Sequence, residues 1–426
     1  MNLARFALLS LLLVSCTLTL RAQIGINLSL YGVHYENSFE NYQQLPDQVS
    51  QLFLEVQRDF EGDYSNVNLA YRGNLSLFQQ FPARNYHEHN VLFNYALQLN
   101  RPVEDAEDTD SSDTDDDNVA LPEATLTATL GDSLQEYLSL GANVGGRFDR
   151  EAYIYHSNVS VAAYAKLKHC FSPTFVGRAQ YSAGYRNYLN LEGMSNWQNV
   201  ASLGLGKYFT TETGMTLESS FGYKKYLHTV ADTTRITGKP PGKGKAGGSE
   251  NRRGRIVITK YDTPGTSQLG VALGLLQQVT SQTMLGLKYL RRMNPSDNAH
   301  YITHEAQDFL PNDEIYDDYY SYHGDEFGFS LKQELPWKIT MYVLGNYFIK
   351  HYNSPAFDLD GNEISDRRQD KRMEISFGLT KSLHFASGFA QGITFELTYD
   401  YQRNQSNDGY NDFFNHTVTL GLGTDF

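Results

Sequence analysis

Cysteine is nearly missing from this chain, with 2 residues in 426, Cys16 and Cys170. Neither a disulfide framework nor a cysteine-built metal cluster holds it together. Long apolar runs are missing as well: beyond the amino terminus no stretch approaches the roughly 20 apolar residues that a membrane-crossing helix requires. There is no cationic excess, since 35 Lys and Arg stand against 49 Asp and Glu for a formal charge of -14. That balance argues against a nucleic-acid partner, which calls for a basic surface. Catalytic signatures are lacking too: the chain has no Gly-x-Ser-x-Gly elbow, no phosphate-cradling Gly-rich loop followed by Lys and Ser or Thr, and no paired cysteines. The residues point away from an enzyme and imply no cofactor.

What is present is aromatic and periodic. Aromatics make up 13% of the chain, with 30 Tyr and 24 Phe, although its mean hydropathy is only -0.47. Segment after segment alternates with period two, the signature of a strand with two unlike faces. Met215, Leu217, Ser219, Phe221 and Tyr223 oppose Thr216, Glu218, Ser220, Gly222 and Lys224. Met373, Ile375, Phe377 and Leu379 oppose Arg372, Glu374, Ser376, Gly378 and Thr380. The last stretch sets Phe414, His416, Val418, Leu420, Leu422, Thr424 and Phe426 against Asn415, Thr417, Thr419, Gly421, Gly423 and Asp425. A soluble sandwich or propeller would also alternate, but with its polar face outward and with strands nearer five or six residues.

A carboxyl-terminal Phe426 with Val418, Leu420 and Leu422 at alternate positions upstream resembles the terminal signature of bacterial outer-membrane barrels, which the barrel-assembly machinery reads. Thr424 departs from it, standing where such proteins carry a larger apolar residue. Over nearly its whole mature length the chain resembles outer-membrane β-barrels of porin type, at the level of architecture. The Ala22-Gln23 junction and the Tyr-rich strands are Bacteroidetes-like in style. The resemblance implies an all-β fold, a transmembrane antiparallel β-barrel in the outer membrane of a Gram-negative bacterium. Its partners would be outer-membrane lipid, lipopolysaccharide and the barrel-assembly machinery.

The organisation fits that expectation. Residues 1–22 read as a signal peptide, with Arg5 as the positive region, an apolar core from Phe6 to Leu20 and a small residue at Ala22. Leu13-Val14-Ser15-Cys16 also forms a lipobox, so lipidation at Cys16 is the competing expectation. Residues 23–426 then form the barrel, in which short periplasmic turns alternate with long extracellular loops. Short turns are expected at Glu61 to Ser65, Ser172-Pro173, Thr210 to Thr213, Thr280 to Gln282 and Pro336-Trp337. Long loops are expected at Glu36 to Gln48, Tyr188 to Asn196, Thr229 to Pro264, Asn294 to Ser321, Asn353 to Asp370 and Asn404 to Asp412. The count is about 16 strands, within 14–18, if residues 24 to 35 form the first. That reading puts the acidic insertion 102–120 in a periplasmic connection. An alternative drops the first strand, adds Thr125 to Gly131, and puts the insertion outside.

Charges on the polar faces cannot point into lipid, where each costs roughly 2 to 4 kcal/mol near the midplane. They are expected to line a lumen: Arg178, Arg186, Glu218, Lys224, Lys332, Glu334, Arg372, Glu374, Glu396 and Asp400. About 16 strands enclose more space than side chains fill, so the lumen holds water or an inserted loop. A passive channel for small hydrophilic solutes follows, with a non-conducting adhesion or assembly platform as the alternative. Other clusters have plainer readings. The acidic tract Glu104 to Asp117 reads as a solvated run and the Gly/Lys/Arg-rich stretch 229–264 as a surface loop. Phe357 to Glu363 reads as a turn built on Asp-Gly. His87 with His89, and His300 with His304, fall short of a metal site.

Overall fold

The computed structural model describes residues 24–62, 64–99, 136–227, 265–297, 318–360, 362–385 and 391–426. The expected signal peptide, Cys16, the acidic insertion, the alternative strand Thr125 to Gly131, the stretch 229–264 and His300 with His304 lie outside these residues.

Sixteen strands pair antiparallel in chain order and close into one barrel. The first eight are β1 (Ile24–Tyr35), β2 (Asp47–Gly62), β3 (Ser65–Phe78), β4 (Tyr86–Gln98), β5 (Tyr137–Asp149), β6 (Asn158–Ser172), β7 (Phe175–Tyr188) and β8 (Asn196–Phe209). The rest are β9 (Thr213–Tyr226), β10 (Thr266–Thr280), β11 (Thr283–Met293), β12 (Tyr322–Leu335), β13 (Ile339–Phe357), β14 (Glu363–His384), β15 (Gly392–Ser406) and β16 (Phe413–Asp425). Closure comes from β1 against β16, registered from Asn27 opposite Asp425 to Tyr35 opposite Thr417. A closed ring leaves no strand edge unpaired, which a wall in contact with lipid requires.

Residues facing each other across a ladder share a side of the sheet, so the register carries one face around the whole wall. Leu30, Leu52, Leu75, Val91, Val161, Leu203, Leu217, Leu273, Leu287 and Leu420 lie on the outer side. Leu30, Val91, Val161, Leu203, Leu217, Leu273, Leu287 and Leu420 are exposed there, as a lipid-facing band is. Aromatics flank the band, with Phe60, Phe171 and Phe209 toward the short turns and Phe148, Trp197 and Tyr223 toward the other end. The chain is thus a transmembrane barrel by its outer surface alone.

The start of β1 at Ile24, the carboxyl-terminal Phe426 and the short turns share one end of the barrel. One of these turns joins Leu335 to Ile339 through Trp337 and Lys338 at φ 67° and 57°, a left-handed pair that suits the twist of a hairpin. The end of β4 at Gln98 and the start of β5 at Tyr137 lie at this same end, and residues 24 to 35 open the barrel as β1.

Two expectations need correction. The loop expected over 353–370 is mostly strand, because β13 continues to Phe357 and β14 starts at Glu363. This hairpin rises past its neighbours and leans on the β15–β16 connection, where Phe357 N donates to Asp408 Oδ2 at 3.1 Å and Tyr410 Oη to Leu359 O at 2.7 Å. Its tip is an Asp-centred turn: Asp358 Oδ1 accepts from the backbone N of Asp360 (3.0 Å) and of Asn362 (2.8 Å). The second is the strand that the alternation places over residues 90 to 101, which instead starts at Tyr86 as β4 and takes in His87, Glu88 and His89.

Glycine opposite a large ring recurs on the inner face. A Cβ at Gly378 would run into the ring of Tyr342, whose hydroxyl lies 2.8 Å from Thr398 Oγ1. Gly378→Ala should therefore destabilise the barrel by about 1–3 kcal/mol through overpacking, read as a lower unfolding temperature in detergent. Gly345→Ala, where an added Cβ meets nothing within 4 Å, should leave that temperature unchanged.

Candidate channel lumen

All ten charged residues singled out from the sequence lie on the inner face by register: Arg178 and Arg186 on β7, Glu218 and Lys224 on β9, and Lys332 and Glu334 on β12, with Arg372 and Glu374 on β14 and Glu396 and Asp400 on β15. Their surroundings divide them. Glu218, Lys332 and Glu334 are exposed, as are the inward Arg72 and Gln180. An inward side chain reached by solvent requires open space inside the ring. Lys224 and Arg372, in contrast, are 0% and 4% exposed and belong to packing at the long-loop end.

The inner face is sorted by charge. Strands β15, β16, β1 and β2 turn Glu396, Asp400, Asp425, Asp47, Glu55, Asp59 and Glu61 inward and no cation. Strands β6, β7 and β8 turn Lys166, Lys168, Arg178 and Arg186 inward and no anion. In a ring of sixteen, β7 stands opposite β15. The two sectors face each other across the lumen instead of neutralising side by side, and so set up a transverse field. At the edge of the acidic sector a cation meets it, where Arg72 Nε of β3 donates to Glu55 Oε1 at 2.7 Å, and beyond that edge the wall is mixed.

The long-loop end is filled by buried side chains. Lys224 Nζ meets Asp318 Oδ2 at 3.2 Å, Tyr226 Oη donates to the same oxygen at 2.8 Å, and the ammonium lies over the rings of Tyr226 and Tyr320. Arg368 Nε donates to Asp370 Oδ1 at 3.1 Å beneath Tyr352, and Ser406 Oγ adds a bond of 2.7 Å. Buried charges survive only when paired and hydrogen-bonded in this way. Arg372 stands nearby, with Asn404 Oδ1 at 3.4 Å and Glu374 at 3.9 Å.

The connection between β1 and β2 folds inward at this end. Asn37, Ser38, Phe39 and Asn41 are buried, and three anchors fix them. Asn37 N donates to Asn415 Oδ1 (3.0 Å), Asn37 Nδ2 to Phe414 O (3.1 Å), and Arg84 Nη1 to Ser38 O (3.0 Å). The Arg84 guanidinium also covers Phe39 and Phe78. Glu40, with φ 46°, then reaches into a recess of about 290 Å³ that it shares with Tyr35, Gln51, Asp400, Gln402 and Asn415. Burial pushes the Glu40 carboxyl up to about 7, against the pull of Arg372. A second recess, of about 240 Å³, lies against Glu88, Arg147, His156 and Arg186.

Sequence reasoning passed over the inward carboxylates of β2, although the same alternation places them, and over Glu40, which no periodicity marks. Among the described residues no group of three His, Cys, Asp or Glu is arranged to hold a metal ion. His87 and His89 face outward, their rings joined at 2.9 Å and capped by Tyr71 Oη at 2.7 Å from His89 Nδ1.

Residues 276–426, from late β10 to the end of the chain, match the family model described as surface lipoprotein assembly modifier. No curated protein matches the chain in sequence. Several solved structures are similar to it. The outer membrane protein OpdK of Pseudomonas aeruginosa shares 10% identity over 95% of this chain and 99% of its own, at a TM-score of 0.44. OccAB1 of Acinetobacter baumannii gives 12% identity, the same coverages and 0.45, and OpdL of P. aeruginosa 14%, the same coverages and 0.44.

Proposed function

We propose that this chain is an outer-membrane channel that passes small hydrophilic solutes and sorts them by charge. The carrying observation is the sorted inner face, with seven carboxylates on β15, β16 and β2 and four cations on β6 and β7. A ring packed solid would have to pair such charges directly, as the rim does with Lys224 and Asp318. A water-filled one can hold them apart. Delivery to the outer membrane through Val418, Leu420, Leu422 and Phe426, and contact of the outer wall with lipopolysaccharide, belong to the same reading.

Planar-bilayer recording of the refolded protein tests it: stable conductance steps are expected, and a correctly folded but silent barrel would overturn it. Glu396→Lys should shift the reversal potential toward anions, and Arg178→Glu toward cations. Arg372 is a poor site for this experiment because its burial couples any change to rim packing.

A second reading draws on the family match over 276–426. The chain would then act in the assembly of surface lipoproteins, with a platform in place of a pore. A silent barrel whose loss removes lipoproteins from the cell surface would favour it.

A further inference from the structure

We infer that Glu40 is the residue that sets the charge selectivity of this channel, an inference that rests on the channel reading above. The carboxylates on β15, β16 and β2 sit on the wall itself. Glu40 comes from a connection and stands inside the wall, against the inward faces of β15, β16, β1 and β2, where it shares the recess with Asp400, Gln402 and Asn415. A charge set in from the wall narrows the water cross-section beside it. It also acts on passing ions at shorter range and through less water than a charge on the wall does.

The position is held, not hinged. Asn37 bonds to β16 at two points, and Arg84 clamps Ser38 and Phe39 from the other side. Within the connection Asn37 Nδ2 donates to Asn41 O at 2.6 Å, closing the loop around Glu40. A glutamate in left-handed backbone persists only where its surroundings fix it, and these contacts supply that. The charge is therefore presented at one place.

The groups facing Glu40 are Arg84 from the short helix Pro82–Arg84, Arg372 and Glu374 from β14, Asp400 from β15, Tyr35 from β1 and the Asn415 amide from β16. Arg84 and Arg372 are buried and engaged with Ser38, Phe39 and Asn404, so neither stands in the water path. With its carboxyl raised by burial to about 7, Glu40 is neutral in mild acid and anionic in mild base. A rise in pH adds one fixed negative charge to the recess, and preference for cations should grow with it.

The experiment measures reversal potentials in asymmetric potassium chloride at about pH 5.5 and about pH 8.5. Wild type is expected to raise its cation-to-anion permeability ratio about threefold between the two. Glu40→Gln should hold the low-pH ratio throughout, Glu40→Lys should favour anions at both, and Glu212→Gln, in an exposed turn at the opposite end, should follow wild type. A Glu40→Gln channel with the wild-type ratio and pH profile overturns the inference. So does a wild-type ratio that is flat across this range, which needs no variant to fold. A folded wild type that never conducts removes the channel reading itself and is recognised before any variant is made.

Discussion

Replacing Asp318 by Ala should lower the stability of the folded barrel by about 3–5 kcal/mol, because it takes the carboxylate from a lysine that has no other route to water. Lys224 is 0% exposed and Asp318 only 3%. The pair is enclosed by Tyr226 and Tyr320, so the ammonium cannot turn to solvent when its counter-charge goes. The Tyr226 hydroxyl, which donates to the same carboxylate, loses its acceptor in the same step. Replacing both members, as Lys224→Met with Asp318→Leu, should restore most of the loss, since two apolar side chains need no partner. Urea midpoints of the refolded protein measure this. A single variant as stable as wild type would mean that water reaches Lys224, and would remove the sealed rim.

The second large effect concerns the other face. Leu420→Arg should cost about 2–4 kcal/mol and depress the folded yield in lipid vesicles, because Leu420 is 61% exposed on the outer wall of β16, opposite Gly32 and Leu397. Thr419→Arg, one residue away, turns its charge into the lumen and should fold at close to wild-type yield. Two adjacent substitutions of like size and charge then differ only in the side they face. Equal yields would contradict the assignment of faces.

The assignment of faces was legible in the sequence because lipid imposes it. Wherever a strand crosses the apolar layer, one side must be apolar, and period two reveals the partner side, as for Glu218 on β9 and Glu396 on β15. Beyond the layer that pressure ends. Residues 353–370 carry Pro355, Asp358, Asp360, Asp366 and Asp370, a composition that reads as loop, yet they extend β13 and β14, because beyond the lipid layer neither face of the hairpin has to be apolar and one packs on the β15–β16 connection through polar contacts. The polar opening of β4 at Tyr86 to His89 escaped notice for the same reason. Within the lumen, alternation gives direction but not depth. It cannot tell Lys224, sealed beneath Tyr320, from Lys332, which is open to water. Glu40 was invisible because its place depends on Asn415, Arg84 and Phe414, all distant in the chain.

The pairing of β1 with β16 also governs how the chain is made. Asn27 Nδ2 donates to Asp425 Oδ1 across a sequence separation of 398 residues, whereas every other neighbouring pair of strands is consecutive in the chain. The first strand to emerge is thus the last to find its partner. Throughout synthesis and export it presents a free edge able to template pairing with other chains. Any truncation that removes the final strand leaves that edge open for good, so nothing shorter than the full set of sixteen seals the ring.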